Sequence, residues 1–253
     1  MNDATGPLPP AFYAAAHNPR QSRWADWWVV LHLPYTVWHL SYVAIGAALA
    51  PRFSGIRLAA TLLAFFLAVG LAAHALDEVH DRPLRTNIPS WQLIAVAASS
   101  MAGSVILGIV GLGRTGPGLA VFIGIGVILN CAYNLELFDG RLHNDLTFAL
   151  AWGAFPVLTS YYAQAETIRL PALFAAAFTF WLSVAQRALS TQARSLRRRV
   201  VAVNGTITYD DGHTEQLSRL ALLAPIESAL KATVWSMVAL ATALVLYRTL
   251  NAV

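Results

Sequence analysis

The sequence predicts an all-α fold: a multi-pass transmembrane helical bundle of about seven spans, with one small cytoplasmic β-hairpin. Three observations predict it. The 253 residues are 57% hydrophobic and only 12% charged, with a mean hydropathy of +0.55, whereas a soluble domain carries about 25% charged residues. Apolar runs of near-spanning length follow one another along the whole chain. Before the last of them, the pattern switches to β-branched residues on either side of Asn204-Gly205.

Residues 1–24 form a polar, Pro-bearing N-terminal segment without the basic-then-apolar order of a cleavable signal peptide, so the first span is expected to stay. Residues 25–199 make a six-helix membrane bundle, with apolar runs near 28–50, 56–76, 88–112, 117–135, 146–163 and 170–189. A spanning helix needs about 20 such residues. The connections are short and hold turn-forming or charged residues, such as Pro51-Arg52, Asp81-Arg82-Pro83 and residues 113–116. Residues 200–217 read as a hairpin: 200–203 and 206–209 flank the Asn-Gly turn, with a third strand around 213–217. An isolated hairpin is marginal in water, so it is expected to rest on the inner face of the bundle. Residues 218–253 hold the final amphipathic and transmembrane helix, apolar over 226–247.

Orientation follows from Lys and Arg. With the N-terminus in the cytoplasm, the outer side keeps only Arg52, Arg57, Arg114, Arg169 and Arg248 of the 17 cations, as the positive-inside rule requires. The C-terminus is then outside, and Trp24, Trp27 and Trp28 sit at the inner interface. This one-sided distribution accounts for the net charge of +4 without a nucleic-acid partner. The single cysteine, Cys131, lies in an apolar run and reads as a small hydrophobe. Gly103, Gly108, Gly124 and Gly126 read as packing devices.

Ionisable groups in or beside membrane spans are expensive and therefore candidates for function. At the end of the second span, His74, Asp77, Glu78 and Asp81 recur at i, i+3, i+4 and i+7 on one stripe, and Pro83 follows. Carboxylates one turn apart suit Mg²⁺, which takes one or two of them together with waters and phosphate oxygens, so Asp77, Glu78 and Asp81 are the candidate metal ligands. The first span places His32, Tyr35, Thr36, His39 and Tyr42 along one face, which reads as a pocket wall. The fourth span and its loop add Asn130, Tyr133, Asn134, Glu136, Arg141 and Asp145; the first three share a face that could hydrogen-bond a head group. The sixth span ends with Gln186, Arg187 and Arg194, the two arginines at i, i+7 and able to clamp a diphosphate. The triplet Arg197-Arg198-Arg199 fixes topology and attracts anionic lipid. Glu227 and Lys231 form an i, i+4 pair read as structural.

The stretch Ala73-His74, Asp77, Asp81 and Arg82 is similar to the first Asp-rich motif of the UbiA superfamily of intramembrane prenyltransferases. Tyr133-Asn134 with Arg141 and Asp145 resembles that family's Tyr-bearing loop, and Trp152-Gly153 with Pro156 resembles the helix after it. The likeness covers residues 1–200 in outline. It implies a helical bundle with a cytoplasm-facing cavity that binds a polyprenyl diphosphate, or another isoprenoid lipid, through Mg²⁺. It also implies catalytic roles for Asp77, Asp81, Arg82 and Arg194, and a substrate wall of His32, Tyr35, His39, Tyr42, His74, Asn130, Tyr133, Asn134, Arg141 and Gln186. Three departures stand out: Ala73-His74 stands where the family has its opening Asn-Asp pair, Gln186, Ser190 and Arg194 occupy the place of its second aspartate pair, and the family has more spans. Three alternatives remain open. One is a non-catalytic membrane subunit or lipid-binding module with a protein partner at the hairpin; the others are a terpene cyclase of the same type and a metal enzyme using His32, His39 and His74 with the carboxylates.

Overall fold

The computed structural model describes residues 23–80 and 82–251. Most of the N-terminal segment and Asp81 lie outside the described residues. The chain is mostly helical. In order come α1 (Arg23–Val30), α2 (Leu33–Leu49), α3 (Gly55–His80), α4 (Ser90–Thr115), α5 (Leu119–Asn134), α6 (residues 145–165), α7 (Leu170–Arg198), strands β1 (Thr206–Thr208) and β2 (Thr214–Gln216), and α8 (Arg219–Leu250). Two of these rods are not α-helical throughout. Phe66–Ala73 in α3 and Ala149–Ala154 in α6 are wound as π-helix, a geometry that concentrates at functional sites.

Four helices, α3, α4, α7 and α8, are long and apolar enough to cross a membrane, and α5 is a shorter apolar helix. The expectation of about seven spans therefore meets four that qualify by length and composition. The first predicted span is broken because Pro34 lacks an N–H and its ring clashes with the carbonyl of the preceding turn. The break falls at His32, which is left-handed with φ 48°. Thr36 Oγ1 donates to Leu31 O at 2.7 Å across the interruption. What remains, α2, has 17 residues and reaches about 25 Å, short of the roughly 30 Å hydrocarbon core.

The core is organised around α2, which packs between α6 and α8 through Trp38, Tyr42, Ile45, Val157, Leu230 and Val234. Ser160 Oγ of α6 donates to Val43 O at 2.6 Å, and Gly46 lets the helices close to that distance, since a Cβ there would overlap Ser160 and the Val157 backbone. At the α6–α7 crossing a Cβ on Gly153 would lie 2.7 Å from both Ser183 Oγ and Thr179 O. Of the glycines singled out by sequence, Gly103, Gly108 and Gly126 face neighbouring side chains, but Gly124 meets nothing within 4 Å and is no packing device. Glu227 is structural but turns to Arg197 of α7, with Nη2 donating to Oε2 at 2.8 Å, instead of along its own helix to Lys231.

The hairpin differs from its expectation in register and in setting. Thr206–Thr208 pairs antiparallel with Thr214–Gln216, so residues 209–213 form the turn and the stretch expected as a third strand is the second. Gly212, at φ 82°, supplies the left-handed residue that the Asp210-Asp211-Gly212 turn requires. Residues 200–203 are not a strand, and Asn204-Gly205 lies before the ladder instead of turning it. Every residue of both strands is exposed; the hairpin stands off the bundle, held by its own pairs such as Tyr209 Oη donating to Glu215 Oε2 at 2.9 Å.

Close helix contact at Gly153 yields a prediction. Gly153→Val must displace backbone as well as a side chain, so it is expected to cost at least about 1–3 kcal/mol, while Gly124→Ala stays within about 0.5 kcal/mol of wild type. Thermal unfolding of the detergent-solubilised protein checks both; a Gly153→Val protein as stable as wild type would contradict the crossing described here.

Candidate functional site

At the end of the bundle that carries the α3–α4 and α5–α6 loops, a chamber of about 320 Å³ opens between α2, α3, α5, α6 and α7. Each wall has its own chemistry. The break before α2 gives His32, and α2 itself Tyr35 and His39; from α3 come Val69, Ala73, His74, Asp77 and His80. Helix α5 and its loop give Tyr133, Asn134, Glu136 and His143, and α6 gives Phe148 and Trp152. Helix α7 contributes Arg187, Arg194 and Arg198, which share one stripe at i, i+7 and i+11.

The arginines are fixed to different degrees. Arg187 Nε donates to Asp145 Oδ1 at 2.9 Å, and its guanidinium lies over the Phe148 ring at 5.0 Å. Arg194 donates to Tyr35 Oη at 3.3 Å and Thr191 Oγ1 at 3.1 Å. Opposite them, Asp77 has no hydrogen bond or ion pair among the described residues. Glu136 at the mouth lies 3.7 Å from His80 Nε2 and 3.6 Å from His143 Nδ1. Its loop passes through left-handed residues at Glu136, Phe138 and Asp139, a strained path of the kind that collects at ligand sites. The Tyr133 hydroxyl is buried without a partner among the described residues, while its ring stacks on His143 at 4.4 Å. A stranded buried hydroxyl costs about 1–3 kcal/mol, which a polar ligand in the chamber would relieve.

A second cavity, about 270 Å³ and mostly apolar in lining, with Arg57, Arg114 and Asn130 among its walls, runs between α3, α4, α5 and α6. Val69 and Trp152 border both cavities. These two residues, buried in one apolar cluster, stand between the polar chamber and the apolar groove.

The sequence-predicted residues divide accordingly. His32, Tyr35, His39, His74, Asp77, Tyr133, Asn134 and Arg194 come together in the chamber. Tyr42 is fully buried beneath it, 3.4 Å from Ser183 Oγ. Asn130 borders the apolar groove and donates to Ala68 O at 2.8 Å; Asn134 then donates to Asn130 O at 2.8 Å. Gln186 is buried away from the chamber lining, with its amide nitrogen unpartnered among the described residues. Arg141 is exposed on the loop. Asp81 lies outside the described residues.

Two expected catalytic or metal groups are committed elsewhere. Glu78 is completely buried, and its carboxylate accepts from Leu84 N at 2.9 Å, Thr86 N at 2.8 Å and Thr86 Oγ1 at 2.9 Å. Adjacent helical positions point about 100° apart, so a chamber centred on His74, Asp77 and His80 leaves Glu78 facing the α3–α4 loop. Arg82, at φ 50°, donates to Ile88 O at 2.7 Å and Ser90 Oγ at 2.6 Å, so its guanidinium holds the same loop. Among the described residues no group of three His, Cys, Asp or Glu side chains converges as a metal site.

His80, Phe148 and Trp152 join the wall without having been marked as such. The three-residue spacing of His74, Asp77 and His80 carried the signal for His80; Phe148 and Trp152 sit in an apolar run where nothing distinguishes a wall from a core. No family model matches the chain, and neither a curated protein nor a solved structure matches it.

Neighbouring acids with opposite surroundings give a direct contrast. Glu78→Ala strands two backbone donors and a hydroxyl and is expected to cost at least about 2 kcal/mol, whereas Asp77→Ala stays within about 0.5 kcal/mol of wild type or gains stability. Equal losses in thermal unfolding would contradict this division of roles.

Proposed function

We propose that the protein is a UbiA-like prenyltransferase that acts on a polyprenyl diphosphate in a membrane-embedded chamber. The supporting observation is that a chamber bearing three guanidiniums and an apolar groove lie on either side of Val69 and Trp152. A ligand that fills both has an anionic head and a hydrocarbon tail. Arg187 and Arg194 take the diphosphate oxygens, with Arg198 at the rim, because guanidinium groups match phosphate geometry and stay charged. The Tyr133 hydroxyl donates to the same head, and the tail runs along α3 to α6. In this reading α1 and α2 together, bent at His32, make the first crossing and α3 to α8 the other six, N-terminus in the cytoplasm and C-terminus outside, so the chamber faces the cytosol.

The donor set was weighed for Mg²⁺. Asp77 alone among the described acids faces the chamber free of a partner, and one carboxylate with phosphate oxygens and waters meets the lower bound for this ion. Bound there, Mg²⁺ would offset charge on the departing diphosphate. The remaining charge falls to the α7 arginines, and their fixed donors stabilise the leaving group as the C–O bond breaks.

A second reading, a non-catalytic membrane subunit, is favoured by one observation: the hairpin and its approach are exposed, with Val201 at 88% and Tyr209 at 44%. Deletion of residues 204–216 would then release a co-purifying protein and leave the bundle folded.

The principal test uses purified protein in nanodiscs with Mg²⁺ and allylic diphosphates of increasing length. Pyrophosphate release is expected, falling about tenfold or more in Asp77→Asn, Arg187→Ala and Arg194→Ala, since each loses a charge-assisted contact worth about 1.5–3 kcal/mol. Chelation of Mg²⁺ should also reduce it. Absence of release at every chain length, or release unchanged in all three variants, would refute the proposal.

A further inference from the structure

The two residues shared by chamber and groove also locate the reacting bond. In a ligand whose head lies against Arg187 and Arg194 and whose tail lies in the apolar groove, the carbon that carries the diphosphate sits beside Val69 and Trp152, the residues common to both cavities. The chamber group fixed at that point is His39. It is 4% exposed, and its Nδ1 is 2.9 Å from Trp152 O. A carbonyl oxygen can only accept, so the neutral ring carries its hydrogen on Nδ1 and keeps the lone pair on Nε2. The ring is held on all sides by aromatic neighbours: stacked on Tyr35 at 6.4 Å between centroids, and edge-on or tilted to Tyr42, Phe148 and Trp152 at 6.2 to 6.4 Å. The other imidazoles of the chamber stand elsewhere. His74 bonds within its own helix to Gly70 O and lies against His32, and His143 stacks on Tyr133 near the mouth.

We infer that His39 is a catalytic proton acceptor, taking onto Nε2 the proton released when the prenyl cation is consumed. This rests on the prenyl-diphosphate reading. The C–O bond breaks with its electron pair leaving on the diphosphate. A nucleophilic atom of the acceptor then gives its pair to the carbon, forming the new bond, and the hydrogen it carried moves as a proton to Nε2. With no acceptor bound, the proton comes from the carbon next to the cation and the C–H pair becomes a double bond. The same lone pair serves both outcomes. The surrounding rings keep bulk water from competing for the cation, and their π-faces stabilise it.

The test reads two quantities from one reaction: pyrophosphate released, and the fate of the prenyl chain by mass spectrometry. Wild-type protein in proteoliposomes of total membrane lipid, given geranylgeranyl diphosphate and Mg²⁺, is expected to yield chiefly deprotonated product, either prenylated acceptor or polyene. His39→Asn keeps an N–H for Trp152 O but has no basic nitrogen, and His39→Phe keeps the aromatic packing but neither nitrogen. In both, deprotonated product per pyrophosphate released is expected to fall about 100-fold, in the range general-base catalysis supplies, and the chain appears as the alcohol formed by water. Wild-type product from His39→Asn would make the residue structural and overturn the inference while leaving the prenyl-diphosphate reading intact. Loss of pyrophosphate release together with product, in a variant of wild-type thermal stability, would also overturn it. Failure of the wild type to release pyrophosphate removes the reading and the inference together.

Discussion

Backbone hydrogen bonds inside a bilayer must be completed by the protein itself, and the site is built where two helices depart from the α pattern. A carbonyl left without its partner in hydrocarbon costs several kcal/mol. In the π segments of α3 and α6 three carbonyls accept from side chains: Asn130 donates to Ala68 O, His74 to Gly70 O, and His39 to Trp152 O. The exchange works in both directions. The wider turn gains a donor, and each polar side chain is fixed in direction by a group that cannot rotate away. Val69 and Trp152, which border both cavities, belong to these same two segments.

A related division of labour governs the end of α3. Asp77 and Glu78 are neighbours with the same chemistry, yet one faces a chamber and the other a loop. Glu78 gathers Leu84 and Thr86, Asp26 of α1 accepts from Asn87 N at 3.0 Å, and Arg82 gathers Ile88 and Ser90. The α3–α4 loop is thereby tied from three directions. This frees Asp77 from any structural duty and holds the helix end at a constant angle to the arginines of α7. A buried carboxylate with three donors and no metal is a stable arrangement; an unpartnered carboxylate facing cations across a cavity is one that awaits a ligand.

Much of this was legible in the residues, and the failures have physical causes. Apolar runs marked the long rods because hydrocarbon imposes one composition on whatever crosses it. Helical spacing brought His32, Tyr35 and His39 to one wall and Arg187 and Arg194 to another, because that spacing is fixed by backbone geometry. It could not separate Asp77 from Glu78, since i+3 and i+4 both count as the same stripe until the position of the next helix is known. The π segments left no trace in composition: an extra residue per turn in Phe66–Ala73 follows from what α5 offers, and Asn130 is distant in sequence. Pro34 did announce a break, but within an otherwise apolar run its effect on His32 is easily outweighed by hydropathy. The hairpin register failed because Asn204-Gly205 satisfies a local turn rule while Asp211-Gly212 satisfies it too, and only pairing across the strands decides between them.

The cationic stripe on α7 bears on how a diphosphate can be managed with few carboxylates. A metal ion needs acids to hold it, and those acids subtract charge from the site they serve. Arginine brings its own charge: it is permanently ionised, and its planar donors fit phosphate oxygens in pairs. Its disadvantage is flexibility, which the chain counters by tying Arg187 to Asp145 and Phe148 and Arg194 to Tyr35 and Thr191. On the prenyl-diphosphate reading, Arg187 and Arg194 would do with fixed organic cations part of what acids and a metal otherwise do, and Asp77 would be the carboxylate that holds a metal ion. The head group would then be held chiefly by charge that belongs to the protein.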